Sequence, residues 1–406
     1  MIGGLPTATL MFLLELVIGA AALLLLLPIC VLTMEILAAL LDGAMAITPQ
    51  RRPRVAVIMP AHDEALTIGE TIRALLPQLR NVDRLLVVAD NCSDATASVA
   101  AANGADVVVR TDATRRGKGY ALDFGMRSLA SDPPEVVLII DADCRVADGS
   151  VDLLARACAA SSRPVQARYL MQSPAGAGTM VRIAEFAFLL KNGVRPRGLR
   201  RLGWPCQLLG TGMAFPWALL RRANLATGHI VEDLKLGLEL AASGAVPFFC
   251  PEALVTSTFP ASDEGFRSQR TRWEHGYLAV MMKDAPSIFR AAVLRRDVRL
   301  LAMGLDLSVP PIALLTLLTG GVWLASALLY LGSHRVAPLA LASAAAGLLV
   351  VNVFGAWARY ARHVVSLGSL MLALAYALWK IPLYVKFVVA RQIDWVRSKR
   401  DQERST

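Results

Sequence analysis

Three short apolar runs each end in acidic residues. VAVIM (55–59) leads into Pro60-Ala61-His62-Asp63-Glu64, RLLVVA (84–89) into Asp90-Asn91-Cys92-Ser93-Asp94, and VVLII (136–140) into Asp141-Ala142-Asp143. The alternate carboxylates of Asp141-x-Asp143 offer oxygen ligands to a hard divalent ion. Mg²⁺ or Mn²⁺ typically binds through one or two carboxylates together with substrate phosphates. Any one of these acids alone reads equally well as a helix cap or the opening of a turn. Three at one edge point to a site. Further along, Glu232-Asp233 opens a helical stretch, where acids complement the helix dipole; in this company a carboxylate is also a candidate general base. In SQRTRWEHG (268–276), Gln269, Arg272 and Trp273 share one helical face. A guanidinium fork suits a diphosphate and an indole suits the face of a sugar ring. The competing reading is an interfacial Trp with snorkelling Arg neighbours.

Two further segments belong with these. Lys118, in Arg115-Arg116-Gly117-Lys118-Gly119, stands near a helix start and within reach of a phosphate or a carboxylate. Gly210-Thr211-Gly212 supplies backbone able to approach a ligand closely.

These residues need a scaffold, and residues 54 to about 270 provide one. After VAVIM comes a helical stretch, EALTIGETIRALLPQL. RLLVVA is followed by a helix from about Asp94, then VVV (107–109), then a helix from about Gly117, then VVLII. Strands alternating with helices at short spacing predict a parallel α/β sheet covered on both faces, with ligands bound beyond the carboxyl ends of the strands. No GxGxxG follows the first strand and no GxxxxGK[ST] occurs, which disfavours a dinucleotide fold and a P-loop NTPase.

The 406 residues are 55% hydrophobic with a formal net charge of +10, too apolar for an ordinary soluble protein. A basic balance suits nucleic acid, anionic lipid or phosphorylated substrates. Aromatics make up only 6% and no basic-aromatic stacking platform occurs, so nucleic acid is excluded as a partner. The six cysteines show no metal-ligand spacing and read as small buried residues in a reducing compartment.

Residues 8–41 are nearly uncharged and long enough for one membrane span; the run is too long for a signal peptide, and no basic residue precedes it. Arg51, Arg52 and Arg54 follow, so the positive-inside rule places the next domain in the cytoplasm. Apolar runs recur at about 308–331, 337–357 and 364–390; the first two read as a hairpin around a GSHRV turn. The third contains Lys380, Pro382 and Lys386, and both a span and a re-entrant segment remain open. Amphipathic helices near 180–192 and 286–300 are expected on the membrane surface. The expected organisation is an N-terminal transmembrane helix (1–50), a cytoplasmic catalytic domain (51–285), an interfacial helix (286–305), C-terminal transmembrane or re-entrant helices (306–392) and a basic tail (393–406).

In order and spacing, Asp90, Asp141-Ala-Asp143, Glu232-Asp233 and Gln269-Arg-Thr-Arg272-Trp273 resemble the family 2 glycosyltransferases. These are membrane-bound inverting enzymes that include cellulose, chitin, hyaluronan and poly-N-acetylglucosamine synthases and the ceramide glucosyltransferases. The resemblance covers about residues 54–280. It implies a GT-A-type α/β nucleotide-sugar-binding domain flanked by transmembrane helices, in a multi-pass protein of the inner membrane. It implies that Asp90, Lys118 and the Pro60, Ala61, His62 and Glu64 loop hold the nucleotide of a UDP-sugar. Asp141 also meets the nucleotide, and Asp141 and Asp143 carry Mg²⁺ or Mn²⁺. Asp233 is then the catalytic base with Glu232 beside it. Gln269 and Arg272 cradle the diphosphate, and Trp273, Gly210, Thr211 and Gly212 form the acceptor site. The expected reaction extends a polysaccharide or oligosaccharide. The alternatives are one transfer to a lipid such as ceramide, diacylglycerol or a polyprenyl phosphate, and a transporter or scaffold with an inactive domain. The large cellulose synthases have more transmembrane helices and further domains, so the resemblance leaves processivity and translocation open.

Overall fold

The first helix, α1 (Thr7–Leu40), has two acidic residues among its 34, Glu15 and Glu35, and both are paired. The computed structural model describes residues 7–41 and 51–390. The expected basic tail (393–406) and the junction at 42–50 lie outside the described residues.

The strands of the α/β domain form where the apolar runs predict. β1 (Val55–Ala61), β2 (Arg84–Asp90), β3 (Asp106–Arg110) and β4 (Val136–Ile139) are mutually parallel in the order β3-β2-β1-β4. Between them run α2 (Ile68–Leu75), α3 (Thr96–Ala102) and α4 (Lys118–Ser128). Val55, Val57 and Met59 of β1 enter one apolar cluster and Ala56 and Ile58 the other, so the sheet is covered on both faces. A strand buried on both sides must be apolar at every position, which explains the unbroken hydrophobic runs.

The other half of the sheet departs from the parallel expectation. β5 (Arg145–Val146), β6 (Val165–Gln172), β7 (Met213–Pro216) and β8 (Phe248–Thr258) extend it in the order β4-β7-β6-β8-β5. β7 is antiparallel to both β4 and β6, and β5 to β8, while β6 and β8 are parallel. The eight-stranded sheet is therefore mixed. α5 (Ser150–Ser161) backs this half. α6 (Thr179–Leu189) passes through a π turn, Leu190–Val194, into α7 (Arg195–Arg201); α8 (Trp217–Leu220) and α9 (Glu232–Ala242) follow.

α10 (Asp263–Arg295) crosses the expected boundary at 285–286 without a break, and α11 (Val298–Leu307) turns back against it. α12 (Ile312–Ser333) and α13 (Val336–Tyr360) form the expected hairpin. The last apolar run is three short helices, α14 (Leu367–Leu370), α15 (Ala373–Trp379) and α16 (Ile381–Val389). Among the described residues, four stretches are long and apolar enough to cross a membrane: Thr9–Leu40, Ile312–Ser333, Val336–Tyr360 and Leu367–Val389.

The membrane-type helices are tied to the α/β domain. Ile29, Leu32 and Ile36 of α1 share an apolar cluster with Leu349 and Ala356 of α13 and with Phe186, Leu190 and Val194 beside the π turn. At the centre of this contact the Arg195 guanidinium bonds Glu35 at 2.6 Å and Asp306 at 2.6 Å, joining α1, α7 and α11. Gly198 permits the close approach, because a Cβ there would overlap the Glu35 carbonyl oxygen. The cysteines are all free, and four are buried as expected. Cys92 is only half-buried and Cys30 is exposed, which corrects the expectation for those two.

Candidate active site

β1, β2 and β4 are adjacent and parallel, so their carboxyl ends open on one edge. There the Pro60–Glu64 loop, Asp90 and the Asp141–Asp143 turn line a single cavity of about 1270 Å³. The loops brace one another. Asp63, in a left-handed conformation, accepts the Ser93 backbone N–H at 2.6 Å. His62 Nδ1 lies 2.7 Å from the Asp90 carbonyl. The Glu64 N–H donates to Thr96 Oγ1 at 2.6 Å. Asp90 is buried and pairs with Arg110 at 2.6 Å. Sequence reasoning passed over Arg110. Its signal was available, since it is the one cation at the carboxyl end of β3.

Lys118 opens α4 and sits among the acids. Its ammonium pairs with Asp141 and donates to the Gly210 carbonyl at 2.7 Å. Burial opposes the charge on Lys118. Asp141, Glu232 and Asp233 outweigh it and hold the amine above the ordinary lysine range. Asp141 opens into the cavity yet is surrounded by protein. Burial raises its proton affinity and Lys118 opposes the rise. Its backbone N–H donates to Thr211 Oγ1 at 3.0 Å.

Thr211 is fully buried, and neither it nor Gly212 lines the cavity. This corrects their expected acceptor contact: they shape the wall from behind. Gly210 does line it, with φ +90°, and a Cβ there would lie 3.2 Å from Asp233 Oδ2. Gln166, which no motif marked, fixes this loop. It is fully buried, accepts the Leu209 N–H at 2.9 Å and donates to the Thr211 carbonyl at 2.9 Å.

Glu232 and Asp233 are the first two residues of α9 and line the cavity. Burial pushes Glu232 up to about 8, helped by the neighbouring Asp233 charge. Burial also raises Asp233, against the opposing pull of Lys118. A carboxylate with raised proton affinity is a better base at neutral pH than an exposed one.

Gln269, Arg272 and Trp273 project from α10 into the same cavity. Gln269 Oε1 is buried and without a hydrogen-bond partner among the described residues. Trp273 is half-buried, and its ring lies 5.8 Å from that of Phe188 on α6. One turn on, Glu274 pairs with Lys380 of the last apolar run and with Arg270 at 3.3 Å. Burial favours its neutral form, but these two cations prevail and hold Glu274 down to about 2. The Lys380 contact had no local signal, because its partner is 106 residues away.

The carboxylates of Asp141 and Asp143 and the Cys144 thiol have donor atoms within 4.8 Å of one another. Burial pushes the Cys144 thiol well above its ordinary range, so it stays protonated. Two carboxylate donors at a cavity wall fit a hard divalent ion.

The expected donor, base and metal residues thus converge on one cavity, with Thr211 and Gly212 behind it. Residues 53–276 match the family model described as glycosyltransferase-like family 2. Glucosyl-3-phosphoglycerate synthase of Mycolicibacterium paratuberculosis is 39% identical over 95 residues, which are 22% of this chain and 28% of that protein. The chain thus spans under a third of the length of that relative. A probable glycosyltransferase of Bacillus subtilis, YdaM, is 24% identical over 257 residues, 59% of this chain and 58% of that one. Among solved structures, the mannosyltransferase PcManGT from Pyrobaculum calidifontis, in complex with GDP-Man and Mn²⁺, aligns with a TM-score of 0.56 at 18% identity. It covers 92% of this chain and all of its own. With the family model matching more than half of the residues over the same segment that carries the carboxylate edge and α10, the chain belongs to glycosyltransferase-like family 2 and has a GT-A fold.

Proposed function

We propose that the protein is an inverting, metal-dependent transferase that moves a sugar from a UDP-sugar to an acceptor carried in the membrane. The observation behind this reading is the reach of the cavity. It runs from Asp90 and Asp141 past Asp233 to Leu32 of α1 and to Ile312 and Ala313 at the foot of α12. Its far end is thus formed by helices apolar enough to cross a bilayer. A lipid-borne acceptor fits that path, and the polysaccharide-extending reading becomes the second.

In this reading the Pro60–Glu64 loop, Asp90 and Lys118 hold the uridine end of the donor. Asp141 and Asp143 hold Mg²⁺ or Mn²⁺, which supplies neutralising charge for the leaving diphosphate. Gln269 and Arg272 bind the diphosphate oxygens from α10. Trp273 offers its ring face to a sugar, with Phe188 inclined beside it at 42°. Asp233 takes the proton from the attacking acceptor oxygen, on the side of the anomeric carbon opposite the diphosphate, so configuration inverts. Arg51, Arg52 and Arg54 favour a cytoplasmic catalytic domain in a multi-pass inner-membrane protein.

The test uses full-length protein in nanodiscs with Mn²⁺ or Mg²⁺, a panel of UDP-sugars and total membrane lipid. A single labelled glycolipid is the expected product, with UDP release abolished by chelation and restored by Mn²⁺. A ladder of water-soluble saccharide would establish the second reading. No UDP release with any sugar or acceptor would sink both.

A further inference from the structure

The charge at the membrane-side end of the cavity narrows the acceptor, and the argument rests on the glycosyl-transfer reading above. Most cations lining the deep part of the cavity are neutralised. Lys118 has Asp141, Arg195 has Glu35 and Asp306, and Arg270 and Lys380 share Glu274. Lys191 differs. Its Nζ lies 4.3 Å from the centre of the Tyr277 ring, and among the described residues no carboxylate is within ion-pairing distance.

Its position is built. Lys191 belongs to the π turn that interrupts α6 and α7, a distortion that concentrates at functional sites. The Tyr277 hydroxyl donates to the carbonyls of Leu307 and Val309, both at 3.0 Å, which fixes the ring under the amine. The next residues, Pro310 to Ala313, line the cavity and open α12. On the other side, Lys191 and Asp233 are close enough that each alters the other's proton affinity. Asn192 also lines the cavity, and its buried Oδ1 has no hydrogen-bond partner among the described residues. The amine therefore stands between the candidate base and the foot of a membrane-type helix.

Lys191 is half-buried; an ammonium partly withdrawn from water with no carboxylate in ion-pairing distance is unfavourable, and an aromatic face offsets only part of the cost. Burial and Arg195 lower the proton affinity of Lys191 to about 8, which still leaves it mostly charged at neutral pH. An anionic headgroup arriving there would supply the missing charge. Without Lys191, an ionised Asp233 would repel such a headgroup.

We propose that Lys191 selects the acceptor by binding a phosphate on the headgroup of a lipid, adjacent to the oxygen that attacks the sugar. The Tyr277 ring orients the amine, and the chains of the lipid leave past Ile312 and Leu32.

The experiment measures UDP release and glycolipid formation by the full chain in phosphatidylcholine vesicles. The vesicles are supplemented with diacylglycerol, phosphatidylglycerol or a polyprenyl phosphate, with soluble glycerol phosphate as a further arm. Donor binding is measured by calorimetry in the same preparation. Transfer to a phosphate-bearing lipid and little to diacylglycerol is expected. Lys191→Met should raise KM for that lipid about tenfold or more with KM for the UDP-sugar unchanged, and Lys191→Arg should retain most of the affinity. Efficient transfer to glycerol phosphate alone would overturn the lipid source. Donor binding with equal use of diacylglycerol, or an unaltered lipid KM in Lys191→Met, would overturn the inference and leave the glycosyl-transfer reading standing. Absence of donor binding in the wild-type protein would overturn both.

Discussion

The Tyr384 hydroxyl donates to Glu274 Oε2 at 2.8 Å, across 110 residues of sequence. Glu274 follows Trp273 directly on α10, so the last apolar run is fastened to the helix that carries Gln269, Arg272 and Trp273. Lys380 completes the fastening, and the His275 ring nitrogen meets the Leu383 carbonyl at 2.9 Å. Removing one partner of a buried ion pair typically costs about 3–5 kcal/mol where it leaves an uncompensated charge, and less here, because Arg270 still pairs with Glu274 when Lys380 is lost. Lys380→Met should therefore lower the melting temperature in detergent and depress transfer together. Glu274→Gln should cost more, because it strands both Lys380 and Arg270, and adding Lys380→Met to it should recover only part of that loss, since Arg270 stays unpaired. An unchanged melting temperature in Lys380→Met would count against the fastening.

Asp233 and Glu232 are adjacent at the start of α9, and the reading assigns proton removal to Asp233. Asp233→Asn keeps the shape of the wall beside Gly210 but removes the base. Transfer should fall by about 10²–10⁴-fold, while UDP-sugar binding measured by calorimetry stays near the wild-type value. Parallel loss of binding and turnover would move Asp233 from base to donor ligand.

The acidic edge was legible because each acid follows a strand by a fixed short step and β1, β2 and β4 pair in parallel. Period and spacing predict such local geometry. They do not report a partner far away in the chain. Glu35, Arg195 and Asp306 meet from three distant segments, and Gln166 reaches the Thr211 loop from another strand. The antiparallel insertion of β7 was hidden for a related reason. MAFP is four residues long and apolar, and nothing in it states its direction. Thr211 misled in the opposite way. Its motif marked a loop at the site, but which atoms face the cavity depends on the positive φ of Gly210 and Gly212.

Gly198 tests how closely α1 and α7 must approach. A Cβ at Gly198 would overlap the Glu35 carbonyl, so Gly198→Ala must push the helices apart and strain the Glu35–Arg195–Asp306 contacts. Gly347, with open space around its Cβ position, is the control. Gly198→Ala should lose several degrees of melting temperature, whereas Gly347→Ala should hold or gain slightly from its higher helix propensity. Equal behaviour of the two variants would argue that α1 packs more loosely.

The pH dependence of stability follows from Glu232. Its folded-state value of about 8 lies above its ordinary 4.5, because burial and the Asp233 charge favour the neutral form. Between these values the folded chain holds a proton that the unfolded chain has released. Stability contributed by the neutral carboxyl is fully present below about 4.5 and is lost as pH rises through about 8. Asp233, also raised by burial, acts in the same direction. The apparent melting temperature of the wild type should therefore fall across this window, and Glu232→Gln should show a shallower fall. If the two profiles run parallel, Glu232 is ionised in the folded protein, and the acid pair beside Lys118 carries one more negative charge than this account gives it.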